Sequence, residues 1–152
     1  MTVVAPESFV EPLERRIALL NADTPRRWGK MTAHEMVFHL SDSFSAMLGE
    51  RPVSEPVSWS PLRRRITRYI ALQTPLPWPK GVPTMPEVNP HIRGTRPLQF
   101  EADRAHLTAL MRRFVMPGTR YGAHPMFGPM SRDLWMIWTH RHVDHHLRQF
   151  GL

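Results

Sequence analysis

The stretch that most restricts how this chain can fold is Ser131 to Leu152, SRDLWMIWTHRHVDHHLRQFGL. Four of the nine histidines, His140, His142, His145 and His146, fall there within seven residues, between an aromatic-rich run and a glycine that can end a helix. A helix turns by roughly 100° per residue. Trp135, Trp138, His142, His146 and Gln149 then lie on one stripe, flanked by Met136, Val143, Leu147 and Phe150, while Arg141, Asp144 and Arg148 point away. His142 and His146 therefore face the interior. Imidazoles at i and i+4 sit one turn apart and can converge on one metal ion. The same spacing also suits packed, hydrogen-bonded core histidines, so a metal centre needs a third ligand from elsewhere in the chain.

A second helix supplies a candidate. Thr32 followed by Glu35 forms a capping box that opens a helix from about Ala33 to Leu48. Met36, His39, Leu40, Ser43, Ala46 and Met47 share a face, with Asp42 one turn after His39 at its edge. His39 is thus also expected inside. A buried neutral imidazole needs partners for both ring nitrogens; Asp42 can take one and a metal or another side chain the second. The alternative is a satisfied core histidine with Asp42 capping or facing water.

Elsewhere the periodicity is again helical. Phe9, Leu13, Ile17 and Leu20 predict a first helix ending near Asn21, with Pro12 in its first turns. Residues 50–60 form a proline-punctuated loop. Pro61 opens LRRRITRYIALQ, where Leu62, Ile66, Tyr69, Ile70 and Leu72 are expected in the core. Arg63, Arg64, Arg65 and Arg68 surround them; such a run is either a solvated face or a binding site for phosphate or an acidic surface. Seven prolines between Pro75 and Pro97 cut off regular structure there. A loop of that length is expected across the mouth of a cleft, at a subunit contact, or packed without a functional role. A further helix from about Phe100 to Val115 places Leu107, Leu110, Met111 and Phe114 inward, and Ser131 can cap the last helix. No strand and no internal repeat is evident.

Four or five helices with apolar faces and no alternating strands indicate an all-α helical bundle. At 152 residues the chain fits a single domain, 1–152. Without cysteine it has no disulfide, thiolate ligand or cysteine nucleophile, so any metal must use His, carboxylate and water. The charge of +7, carried almost entirely by arginine, suits anionic substrates or surfaces. The N-terminus has no apolar core of signal-peptide length and no run approaches the roughly 18 apolar residues of a membrane span, so a cytoplasmic location is expected.

The combination of MTAHEMVFHLSDS with HPMFGPMSRDLWMIWTHRHVDHHLRQFGL resembles the DinB/YfiT-like metalloenzyme superfamily, and within it a bacterial branch of unknown function. The resemblance covers about Trp28 to Ser45 and His124 to Leu152. It implies a DinB-like four-helix bundle, here with an additional short helix and a long Pro-rich loop. It also implies a divalent metal, nickel or zinc, held by one histidine of the second helix and an HxxxH pair of the last. By position these are His39, within FHLSDS, and His142 and His146, within HVDHH. His145 matches an extra, non-ligating histidine. Many relatives read HRGQ where this chain has His146-Leu147-Arg148-Gln149; Gln149 keeps its place on the stripe.

Three neutral imidazoles leave a divalent ion open positions, as catalytic sites require. The resemblance implies transfer of a low-molecular-weight thiol in some relatives, so thiol transfer to an electrophile or hydrolysis of a small molecule is expected. His145 and His124 are candidates for proton transfer and Trp135 and Trp138 for pocket walls, roles that compete with plain packing or exposure. The other reading is a non-catalytic interaction protein whose metal ties two helices together. A homodimer is expected from similar proteins; nucleic-acid binding through Arg63 to Arg68 is the weakest reading.

Overall fold

The computed structural model describes residues 6–54 and 57–152, with side chains from Ser8 onward. Expectations for residues 1–5, and for residues 55–56 inside the second loop, lie outside that range. The described chain is all-helical. It has five α-helices, α1 (Pro6–Ala18), α2 (Ala33–Met47), α3 (Pro61–Gln73), α4 (Phe100–Val115) and α5 (Arg132–Gln149), with one 3-10 turn at Pro86–Val88. Among the described residues there is no strand, and His124 and Gly128 form an isolated bridge. None of these helices is long and apolar enough to cross a membrane.

Local chemistry sets the helix starts. The Thr32 hydroxyl accepts from the Glu35 N–H and the Glu35 carboxylate accepts from the Thr32 N–H at 2.8 Å, so two of the orphan donors at the head of α2 are satisfied reciprocally. Ser60 caps α3 with Pro61 at its first position, and Ser131 caps α5. Pro12 lies inside α1.

The core forms around α2, which packs on α4 and on the 3-10 turn; α1 packs on α4 and α5, and α3 on α5. Twelve of the fifteen residues of α2 are buried, so this helix has no solvent face, and the stripe read from periodicity is only part of what it buries. Its serines tolerate this because Ser41 and Ser43 return their hydroxyls to the Val37 and His39 carbonyls, at 2.9 and 2.7 Å. Phe44 of α2, Phe114 of α4 and Trp138 of α5 meet edge to face or tilted, with ring centroids 5.0–5.8 Å apart. Each such ring contributes about 1.5–3 kcal/mol by leaving water. This aromatic layer is the floor on which the histidines stand.

Helix α3 departs from its expected orientation. Leu62, Ile66, Tyr69 and Ile70 are 68%, 50%, 56% and 47% exposed, and only Leu72 of the expected set is buried. Arg64 and Arg68 point inward instead. Arg64 donates to the Pro125 and Val57 carbonyls at 3.0 and 2.9 Å, and Arg68 to those of Phe127 and Pro129 at 3.2 and 2.9 Å. The irregular segment over residues 125–129 exposes carbonyls that no helix satisfies; two guanidinium forks supply the donors and so fix which side of α3 faces the protein.

The long connection from Thr74 to Gln99 is held down at several points. Arg141 of α5 donates to the Thr74 and Leu76 carbonyls, and the Trp78 indole N–H donates to the Ala71 carbonyl at 2.7 Å. Farther along, the chain tightens into the 3-10 turn against α2. Both anchored stretches reach the histidines.

Candidate metal centre

His39 of α2 and His142 and His146 of α5 come together in the interior, 4%, 9% and 8% exposed. One ring nitrogen from each lies within 4.8 Å of the others. The Nε2 atoms of His39 and His142 are 3.2 Å apart. Two nitrogens at ~2.1 Å from a tetrahedral ion stand about 3.4 Å from each other, so the His39–His142 pair is already at ligand spacing and the third nitrogen lies no more than about 1.4 Å beyond that spacing from either of them.

Hydrogen bonds behind the rings set which nitrogens are bare. His39 Nδ1 lies 2.8 Å from the Val88 carbonyl. A carbonyl only accepts, so Nδ1 carries the proton and Nε2 offers its lone pair. Gln149 donates its amide to the Trp28 carbonyl at 3.0 Å, which leaves its Oε1 facing His146 Nδ1 at 3.1 Å. His146 is thereby held with a protonated Nδ1 and a bare Nε2. Partners of this kind are what orient metal-binding imidazoles. His142 is different: its Nδ1 is buried with no hydrogen-bond partner. With His39 Nε2 as acceptor, protein groups satisfy one nitrogen of His142 and leave the other orphaned. A cation taking the Nε2 lone pairs replaces the His39–His142 hydrogen bond and moves the His142 proton to Nδ1, so three neutral imidazoles with converging nitrogens make a donor set that fits a divalent ion.

Electrostatics agrees with that chemistry. Burial pushes His142 and His146 well below the ordinary histidine value, and the neighbouring imidazoles push the same way. Burial also lowers His39, partly opposed by the Val88 carbonyl and by Asp42. All three rings are neutral near pH 7, the form that binds metal.

Asp42 is not the partner of His39 that its position one helical turn away suggests. Asp42 is buried, but its carboxylate takes the Thr95 N–H and hydroxyl, both at 2.7 Å, and Arg51 at 3.0 Å. A backbone carbonyl about fifty residues away serves the imidazole instead, because the tail of the Pro-rich segment folds under α2.

The remaining candidates are spread around the cluster. His145 is half-buried beside His146, with ring centroids 5.2 Å apart, between Trp28 at 4.9 Å and Trp78 at 5.8 Å. Burial lowers its pKa, and Lys80 adds to this while Asp144 opposes it. His124 is buried, its Nδ1 accepting the Met126 and Phe127 N–H groups at 3.2 and 3.3 Å, and burial holds it at about 3. Trp138 packs on His142 at 4.7 Å, whereas Trp135 belongs to the deeper layer with Phe114 and Tyr121. Trp78 covers His142 at 5.8 Å, and Lys80 stands 5.3 Å from the Trp28 ring. Trp28, Trp78, Lys80 and Val88 carried no pattern in the sequence that marked them: they sit in irregular segments, and Val88 acts through its backbone.

An all-helical chain with three convergent buried imidazoles is the class that fold and site define. A family model described as a protein of unknown function (DUF1569) matches residues 80–151. That span holds His142 and His146 but not His39. No curated protein and no solved structure matches the chain.

Proposed function

We propose that this chain is a metal-dependent enzyme of the DinB/YfiT-like type, acting on a small molecule by thiol transfer to an electrophile or by hydrolysis. On this reading residues 1–152 form one domain in which α1, α2, α4 and α5 are a four-helix bundle, with α3 as the additional helix. A homodimer and a cytoplasmic setting belong to the same reading. The observation that carries it is the convergence of His39, His142 and His146, two of them held with bare Nε2 atoms by Val88 and Gln149.

Those three residues would hold nickel or zinc. Bound there, the ion supplies a Lewis acid that lowers the pKa of water or a thiol towards neutrality and polarises a substrate oxygen. The chain's own groups do the rest. Trp78 and Trp138 flank His142 and exclude water from its ring. His145, neutral near pH 7 and beside the cluster, takes a proton at a ring nitrogen, a role its half-exposed position suits better than the enclosed position of His124. Lys80, exposed near Trp28, draws in an anionic substrate.

A second reading is favoured by how little of the cluster is exposed: a metal that ties α2 to α5 in a binding protein without turnover. One comparison separates the two. Elemental analysis of protein purified without a nickel column is expected to find one nickel or zinc per chain. The metal-loaded protein, screened with thiols and electrophiles and with hydrolysable esters and amides, is expected to turn over a substrate that His142→Ala does not. Metal without turnover favours the second reading; neither metal nor a difference between the proteins removes both.

A further inference from the structure

We propose that Asp42 and Arg51 are positioning residues that set the metal-binding tautomer of His39, acting through the backbone of the 3-10 turn. The proposal rests on the metal reading above for its consequence, but not for its geometry. His39 owes its bare Nε2 to one acceptor, the Val88 carbonyl. That carbonyl belongs to a segment with little regular structure of its own, so something outside the segment must hold it in place.

Arg51 does so. Its Nε donates to the Glu87 carbonyl at 2.8 Å, one residue before Val88, and one terminal nitrogen donates to the Arg93 carbonyl at 2.8 Å. The other terminal nitrogen reaches Thr95 Oγ1 at 3.0 Å and Asp42 Oδ1 at 3.0 Å. One planar fork thus grips the turn on both sides of Val88. The turn is also closed on itself, with the Arg93 N–H on the Pro86 carbonyl at 3.0 Å and the Gly94 N–H on the Asn89 carbonyl at 2.8 Å. Held at Glu87 and Arg93, it has little freedom to swing Val88 away.

Asp42 completes the circuit. It stands one turn after His39 on α2, and its side chain is 7% exposed. Its two oxygens accept from the Thr95 N–H, the Thr95 hydroxyl and Arg51. A buried carboxylate with that many donors is a rigid anchor, and its charge keeps the partly buried guanidinium in place. The helix that carries the ligand therefore also carries the anchor for the carbonyl that orients the ligand. His39 and its acceptor move together, which limits how far thermal motion of the long connection can disturb the ring.

The test reads the imidazole directly. In metal-free protein near pH 7, long-range 1H–15N correlation spectra are expected to show His39 and His146 protonated at Nδ1. In Arg51→Ala, His39 is expected to become a mixture of both tautomers while His146, held by Gln149, stays as it was. Zinc affinity, measured by competition with a chromophoric chelator, is expected to fall by about 10–100-fold. Arg51→Lys, which keeps the charge but not the fork, is expected to recover part of that loss. If circular dichroism shows that Arg51→Ala has not folded, Thr95→Val, which removes one hydroxyl from the circuit, carries the same two measurements with a smaller change of the same sign. A folded variant whose His39 remains entirely Nδ1-protonated, or whose zinc affinity stays within about twofold of the parent, overturns the proposal. Failure of the parent protein to bind zinc counts instead against the metal reading, and the His39 tautomer then decides this proposal alone.

Discussion

Gln149 shows how narrowly a single residue can be fitted. It links His146 to the Trp28 carbonyl, and the next residue, Gly29, lies against it with φ +83°; a Cβ there would stand 2.2 Å from Gln149 Nε2. Gly29→Ala is expected to cost about 1–2 kcal/mol from the backbone alone, and more from displacing Gln149. Urea unfolding measures that loss, and zinc competition should show weakened affinity because His146 loses its acceptor. His124 makes a second prediction. Its folded value of about 3 lies below its ordinary 6.5, so above pH 6.5 both folded and unfolded forms are neutral and stability is complete. As pH falls from 6.5 towards 3 the unfolded chain takes up a proton that the folded chain refuses, and stability drops by about 1.4 kcal/mol per pH unit for this histidine. Asn has an acceptor placed like Nδ1, so His124→Asn should remain folded while the acid limb of a stability–pH curve becomes shallower. An unchanged limb would show that this ring is not held neutral.

For the elements, the caps were legible and the environment of each helix was not. Thr32 and Glu35 announce α2 because a capping box is complete within four residues and needs nothing from the rest of the chain. Thr32→Ala should therefore cost about 1 kcal/mol and lower Tm by about 2–4 °C by calorimetry. The same periodicity that placed His39 inside could not show that α2 is buried on every side, since that depends on how many neighbours arrive. Helix α3 makes the point more sharply. Its leucine and isoleucine stripe is a true amphipathic pattern, yet the stripe faces outward, because Arg64 and Arg68 answer carbonyls in a loop about sixty residues away. A stripe says that two faces differ; it does not say which one a competing set of hydrogen bonds will draw in.

At the scale of the molecule, the imidazole cluster joins α2 to α5 across more than a hundred residues of chain. An ion bound there stabilises the folded form by mass action. At a free concentration of about a hundred times Kd the gain is about 2.7 kcal/mol, or a rise in Tm of about 5–10 °C. Zinc or nickel added to metal-free protein should produce that rise, EDTA should reverse it, and His39→Ala should abolish it. No rise in the parent protein would remove the metal reading.

The sequence by itself determined where α2, α3, α4 and α5 start, that the described regular parts are helical, and that His39, His142 and His146 face inward. These follow from helical period and capping chemistry, which act over one or two turns. The tertiary structure alone decided that the three rings meet, that Val88 and Gln149 leave Nε2 bare on two of them, that Asp42 serves Thr95 and Arg51 rather than His39, and that Trp28 and Trp78 stand around His145. Each of those outcomes depends on irregular segments crossing the core from far along the chain. Their paths are set by backbone carbonyls and N–H groups finding buried partners, and every residue carries those groups alike.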